Sequence, residues 1–126
     1  MKKPITLLFI VALAATQAAQ AEDARYGAIA LGGNGFGATR GRADEALAVS
    51  GAVRQCEESG GAGECRVRLV YRNQCAAYAA GDDRQVGVAY ASNLEEAGTL
   101  ALRSCSEKAS HCQLHYLACS TPASFN

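Results

Sequence analysis

One unit of sequence occurs twice, and it limits what the chain can fold into. Ala48-x-x-x-Ala52-Val53-Arg54-Gln55-Cys56 is matched by Ala97-x-x-x-Ala101-Leu102-Arg103-Ser104-Cys105. A polar turn follows each copy, and then a cysteine opens an alternating run: Cys65-Arg66-Val67-Arg68-Leu69 and Cys112-Gln113-Leu114-His115-Tyr116. A third cysteine closes each half, Cys75 and Cys119. Strand-like segments precede both helices, Tyr26-Gly27-Ala28-Ile29-Ala30-Leu31 and Val86-Gly87-Val88-Ala89-Tyr90-Ala91. Two copies are too few for a solenoid, and 126 residues suit one domain. The expectation is a single core shared by two pseudo-repeats.

The alanines and the cysteine of each unit recur at i, i+4 and i+8, which puts them on one helical face. Asn93 is placed to cap the second helix, with Glu95 and Glu96 at the positive end of its dipole. Asp44 and Glu45 do the same for a first helix expected from about Ala43 to Glu58, stopped by Gly60-Gly61-Ala62-Gly63. Alternating runs read as strands with one buried face. Arg72-Asn73 and Gly81-Asp82-Asp83 are turn chemistry, so Cys75 to Ala80 is a short strand between two others. The predicted class is α+β: strand-helix-strand-strand then strand-helix-strand, with two helices packed on an antiparallel sheet and stapled by disulfides.

The N-terminus reads as an address. Met1-Lys2-Lys3 is positive, Ile5 to Ala15 is apolar, and Ala19-Gln20-Ala21 has the small-x-small form of a signal-peptidase site. The apolar run is too short to span a bilayer. Residues 1–21 are therefore expected to be a secretory signal peptide, and residues 22–126 one disulfide-rich domain. No cysteine follows the cleavage point to carry a lipid anchor, so no membrane insertion is expected afterwards. The expected location is periplasmic or extracellular.

Over the full chain 12 basic side chains balance 12 acidic ones, and without Lys2 and Lys3 the balance turns slightly negative. A dedicated nucleic-acid binder shows a basic excess instead. Export makes disulfides the default for Cys56, Cys65, Cys75, Cys105, Cys112 and Cys119, while structural zinc prefers closer cysteine pairs. Spacing alone does not select among the pairings that six cysteines allow. A helix-end cysteine beside a strand-start cysteine favours Cys56–Cys65 and Cys105–Cys112, which leaves Cys75–Cys119 to tie the two halves together. Such staples suit a chain whose apolar content is largely alanine, since alanine buries little area.

Tyr26-Gly27-Ala28-Ile29-Ala30, the two Ala-x-x-x-Ala-[Val/Leu]-Arg-x-Cys helices and Cys75-Ala76-Ala77-Tyr78-Ala79 together resemble the domain-of-unknown-function 4189 family of small exported bacterial proteins. The likeness runs from Tyr26 to Cys119. Members often carry tryptophan in the first glycine-rich connection, where this chain has Phe36. The resemblance implies a small secreted module and brings no catalytic residues with it.

The chemical candidates are few. Gly32-Gly33-Asn34-Gly35-Phe36-Gly37-Ala38 lies between a strand and a helix, but its spacing fits neither G-x-G-x-x-G nor a P-loop. It reads as a flexible connection from which Phe36, Arg40 and Arg42 project as a contact surface. Arg66, Arg68 and Arg72 are expected on the strand face opposite Val67 and Leu69, a row able to grip carboxylates or phosphates. His111 and His115 on one strand stand too far apart for one metal ion, and neither metal nor cofactor is expected. Glu57-Glu58, Asp82-Asp83 and Glu95-Glu96 sit at helix ends or in a turn, and no nucleophile elbow is present.

The leading expectation is an exported binding or interaction module, not an enzyme, working on a protein or cell-envelope component. An inhibitor or immunity-type factor is one form of it. The alternatives are an envelope-polymer hydrolase using carboxylates, with His115 or Glu58, and a secreted effector acting on host or competitor cells.

Overall fold

A computed structural model describes residues 24–122, together with Pro4. The remainder of the expected signal sequence lies outside the described residues. The order of elements is β1 (Tyr26–Gly32), β2 (Gly35–Arg42), α1 (Glu45–Cys56), β3 (Arg66–Arg72), β4 (Gln74–Ala80), β5 (Val86–Ala91), α2 (Leu94–Ser106) and β6 (Gln113–Ser120). The class is α+β as expected. Its strands form two antiparallel three-stranded sheets, β2-β1-β3 and β5-β4-β6, in place of the single sheet expected from sequence.

Each half is therefore strand-strand-helix-strand, with β1 and β4 as equivalent central strands. Pairing registers relate the halves residue by residue. Ala30 faces Gly37 on one side and Val67 on the other, just as Ala79 faces Gly87 and Leu114. The counterpart of β5 is thus β2, which lies in the segment that the sequence reading leaves as a glycine-rich connection. Glycine disfavours strands, but at Gly37 it admits the helix. A Cβ there would stand 1.9 Å from the Ala52 carbonyl oxygen, and one at Gly87 would stand 2.2 Å from that of Ala101.

Both helices start from a side-chain cap. The Asp44 carboxylate accepts from the Leu47 N–H at 2.8 Å, and the Asn93 side-chain oxygen accepts from Glu96 N–H at 2.8 Å. Ala48, Ala52 and Cys56 of α1 are fully buried with Ala28 and Ala30 of β1. Ala97, Ala101 and Cys105 of α2 are buried in the same way with Ala77 and Ala79 of β4. Small residues on both sides of each contact let helix and sheet approach closely. After Cys56 the first helix widens through Glu57–Gly61 and ends at Gly60, φ 121°, and Ala62, φ 48°.

The opposite faces of the two sheets meet in a third cluster, in which Ile29, Tyr71 and Ala76 are buried and Leu69, Tyr78, Val88 and Tyr116 pack around them. Helices thus cover the outside and the bulky side chains lie between the sheets. Tyr71 is held there by donating its phenol O–H to the Thr39 carbonyl at 3.1 Å, and burial pushes its pKa far up.

The disulfides are Cys56–Cys65, Cys105–Cys112 and Cys75–Cys119. The first two fasten each helix end to the strand that follows. The third has a different role from the one expected of it. Cys75 and Cys119 are cross-strand partners in β4 and β6, so the bond staples the second half internally. The halves are held together by the inter-sheet core.

Candidate functional site

The same irregularity interrupts the outer strand of each sheet. Along β1–β3 the register passes from Ile29↔Leu69 to Ala30↔Val67, leaving Arg68 unpaired. Along β4–β6 it passes from Tyr78↔Tyr116 to Ala79↔Leu114, leaving His115 unpaired. These are β-bulges, which bend a strand and re-aim one side chain. The bulge breaks the simple alternation expected of this segment. Leu69 packs into the inter-sheet cluster while Val70 packs on the α1 side, so Val67 and Leu69 do not share a face across it.

Arg68 consequently leaves the expected row of arginines and lines a cleft of about 520 Å3. The cleft lies between the tips of the β1–β2 and β4–β5 hairpins, and repeat-related residues bound it in pairs: Leu31 with Ala80, Phe36 with Val86. Its aromatic wall is the pair Phe36 and Tyr78, stacked with centroids 5.2 Å apart. Tyr116 meets Phe36 edge-on at 5.7 Å, and His115 lies against Tyr78 at 5.6 Å. Burial raises the pKa of the Tyr78 phenol, and the Arg68 guanidinium partly offsets the rise.

The polar rim comes from Asn34, Glu64, Arg68 and Arg84. Glu64 sits over the first hairpin so closely that a Cβ on Gly33 would meet its Oε2 at 2.8 Å. Neither Arg68 nor Arg84 forms an ion pair with another described residue. Arg84 has a left-handed backbone, φ 59°, beside Asp83 at 57°. Such a conformation costs a non-glycine residue about 1–2 kcal/mol. The first hairpin uses Gly33, φ 53°, at its own turn. The two consecutive left-handed residues turn the chain from β4 into β5 and carry Arg84 to the rim.

The glycine-rich segment is ordered by α1. The Phe36 N–H donates to Ser59 Oγ at 2.9 Å and the Ala38 N–H to Gln55 Oε1 at 3.0 Å. Helix side chains thus occupy the free edge of β2 and fix Phe36 in the cleft wall.

The remaining candidates separate. Arg40 and Arg42 lie at the far end of β2 from Phe36, and Arg42 donates to the Arg40 carbonyl at 3.0 Å. Arg72 lies over the Tyr26 ring at 5.9 Å, at the opposite end of β3 from Arg66, which is exposed. His111 pairs with Asp82 at 2.7 Å. Of the six binding candidates, Phe36 and Arg68 converge on the cleft. Tyr78, Arg84 and Glu64 are the cleft residues that sequence reasoning missed. The one available signal was a lone tyrosine in the alanine-rich strand Gln74–Ala80.

Among the described residues no group of three or more His, Cys, Asp or Glu side chains is placed to hold a metal ion, and no helix is long and apolar enough to cross a membrane. Glu57 is engaged in accepting from the Gly63 N–H, which closes the first disulfide loop.

The model of the family described as a domain of unknown function, DUF4189, matches residues 26–119. The chain belongs to this family. The matched span begins with β1 and ends at Cys119, one residue short of the end of β6, so it includes both repeats and every residue of the cleft. No curated protein and no solved structure matches the chain.

Proposed function

We propose that this protein is an exported binding module, acting by occupancy and not by turnover, with the inter-hairpin cleft as its working surface. The observation that carries the reading is the convergence of unpaired Arg68 and Arg84 on an aromatic wall of Phe36 and Tyr78. Concave sites with an apolar lining and a few directed polar groups are where ligands bind. Three disulfides and the signal-like N-terminus support export. The carboxylates favour binding over hydrolysis because Glu64 is the single acidic residue among those lining the cleft. A carboxylate-pair mechanism needs both groups on one cleft.

The test is amide chemical-shift mapping of the labelled domain against fractionated cell-envelope extract. Shifts confined to Gly33–Gly35, Arg84 and Val86, with the bound component recovered chemically unchanged by mass spectrometry, are expected. Shifts only at surfaces remote from the cleft, or conversion of the component to a product, would overturn the reading.

A further inference from the structure

Building on the cleft as the binding surface, we infer that its ligand is an acidic saccharide: a sugar ring bearing a carboxylate. Three features of the cleft must be met by one ligand. Arg68 and Arg84 present guanidinium groups without an ion-pair partner among the described residues, and a guanidinium matches a planar carboxylate through two parallel hydrogen bonds. Phe36 and Tyr78 supply an apolar aromatic wall, suited to the C–H face of a sugar ring. Glu64 and Asn34 lie on the same rim. An ionised carboxylate only accepts hydrogen bonds, so Glu64, exposed on the rim, favours a ligand that brings donors in place of the water it displaces, and sugar hydroxyls are donors.

Glu64 also discriminates among anions. A phosphate group carries up to about two negative charges on one compact centre, so repulsion from Glu64 opposes the attraction of the arginines more strongly than it does for a singly charged carboxylate. A sugar acid carries one negative charge on one edge and hydroxyls on the others, which satisfies both signs of charge in the cleft. The pocket is open between two hairpin tips, so a residue within a polymer can enter as well as a free monosaccharide.

Arg84 gives a test that a merely structural role fails. Its left-handed backbone, φ 59°, suits glycine better than arginine. Arg84→Gly should therefore keep or raise the melting temperature while weakening binding.

The probes are trigalacturonate, a hyaluronan tetrasaccharide and N-acetylmuramic acid. A neutral galactose trimer, inorganic phosphate and a hexaglutamate peptide serve as comparators, all followed by amide shifts and calorimetry on the oxidised domain. The expected result is that at least one acidic sugar shifts Gly33, Asn34, Gly35 and Arg84 and binds at least about tenfold more tightly than the neutral trimer or phosphate. Arg84→Gly and Arg68→Ala should each weaken it by about tenfold, the loss of one charge-assisted contact. Equal binding of the neutral trimer, tighter binding of hexaglutamate, or undiminished binding by both variants would overturn the inference. If envelope extract shifts the cleft but no acidic sugar does, the saccharide assignment fails and the binding surface stands. If neither does, both fail.

Discussion

The two halves clamp their central strand to the outer strand at the same place by different chemistry. Tyr26 and Arg72 face each other across β1 and β3, with the guanidinium carbon 5.9 Å from the ring centroid. Cys75 and Cys119 face each other at the matching position of β4 and β6 and are covalently joined. β1 sends Ile29 and Leu31 into the inter-sheet core, whereas β4 sends Ala76 and Tyr78 from a strand otherwise rich in alanine. One position is held by a cation–π contact in the first half and by a covalent bond in the second. The halves also differ at the hairpins. The first supplies a compact glycine turn and Phe36 to the cleft, and the second supplies a longer turn carrying Arg84.

The largest effect expected from breaking this comparison is on the clamp. The Cys75–Cys119 bond closes a loop of 44 residues, against 9 for Cys56–Cys65 and 7 for Cys105–Cys112. Loop-closure entropy then assigns it about 4 kcal/mol and the shorter bonds about 2.5 kcal/mol each. Cys75→Ala with Cys119→Ala should cost close to that in denaturant unfolding. Arg72→Ala, which removes only the cation of the matching pair, should cost no more than about 1 kcal/mol. A smaller loss from the double cysteine variant than from Arg72→Ala would break the comparison. The clamp is also transferable: Tyr26→Cys with Arg72→Cys should form a fourth disulfide, seen as the loss of two hydrogens by non-reducing mass spectrometry.

A smaller effect separates the helices. Each has one buried glycine facing the neighbouring strands, Gly51 in α1 and Gly98 in α2. A Cβ at Gly51 would lie 2.8 Å from Thr39 Cγ2. Thr39 is only 2% exposed and is locked by donating its hydroxyl to the Ala48 carbonyl at 2.7 Å. A Cβ at Gly98 would meet the ends of Leu114 and Leu117, at 3.2 and 3.4 Å, and both leucines are exposed and free to shift. Alanine is favoured over glycine in a helix by about 1 kcal/mol. Gly98→Ala should therefore raise stability by about that amount, and Gly51→Ala should lower it as overpacking outweighs the helical gain. Thermal unfolding of the two variants decides the signs, and equal signs would break the contrast between the two helix–sheet contacts.

Much of this architecture is legible in the sequence because it is local. The alanine spacing, Asp44, Asn93 and the cysteine at each helix end are read within one or two helical turns. β2 is not legible. Its glycines lower strand propensity while being required by an approach of Ala52 that only the folded state creates. The bulges escape for a related reason: that Arg68 is unpaired depends on the register of β3 against β1, not on its sequence neighbours. The cleft is less legible still. Phe36 and Arg68 stand out as an aromatic among glycines and a charge in a strand, but Tyr78, Glu64 and Arg84 come from separate elements. Their convergence is set by how the two sheets pack, which no local pattern encodes.

The smallest expected effect lies at the residue before each strand-start cysteine, Glu64 in the first half and His111 in the second. Glu64 leans over the first hairpin at Gly33, and His111 reaches the second hairpin through Asp82. A hydrogen bond to Asp82, reinforced by its charge, raises the His111 pKa above the ordinary histidine value. A raised pKa in the folded state means that the folded protein holds this proton more tightly than the unfolded chain does. The stabilisation is then complete below the unfolded value of about 6.5 and is lost as pH rises through the folded value. His111 is fully exposed, so solvent keeps the effect small. Melting temperatures at about pH 5.5 and about pH 8.5, which bracket the ordinary histidine value, should fall further on the alkaline side for the unmodified protein than for Asp82→Asn. The first hairpin has no histidine partner, so Glu64→Gln should leave that difference unchanged. An equal pH response in the unmodified protein and Asp82→Asn would remove the His111–Asp82 pair as a link between this hairpin and the Cys105–Cys112 loop.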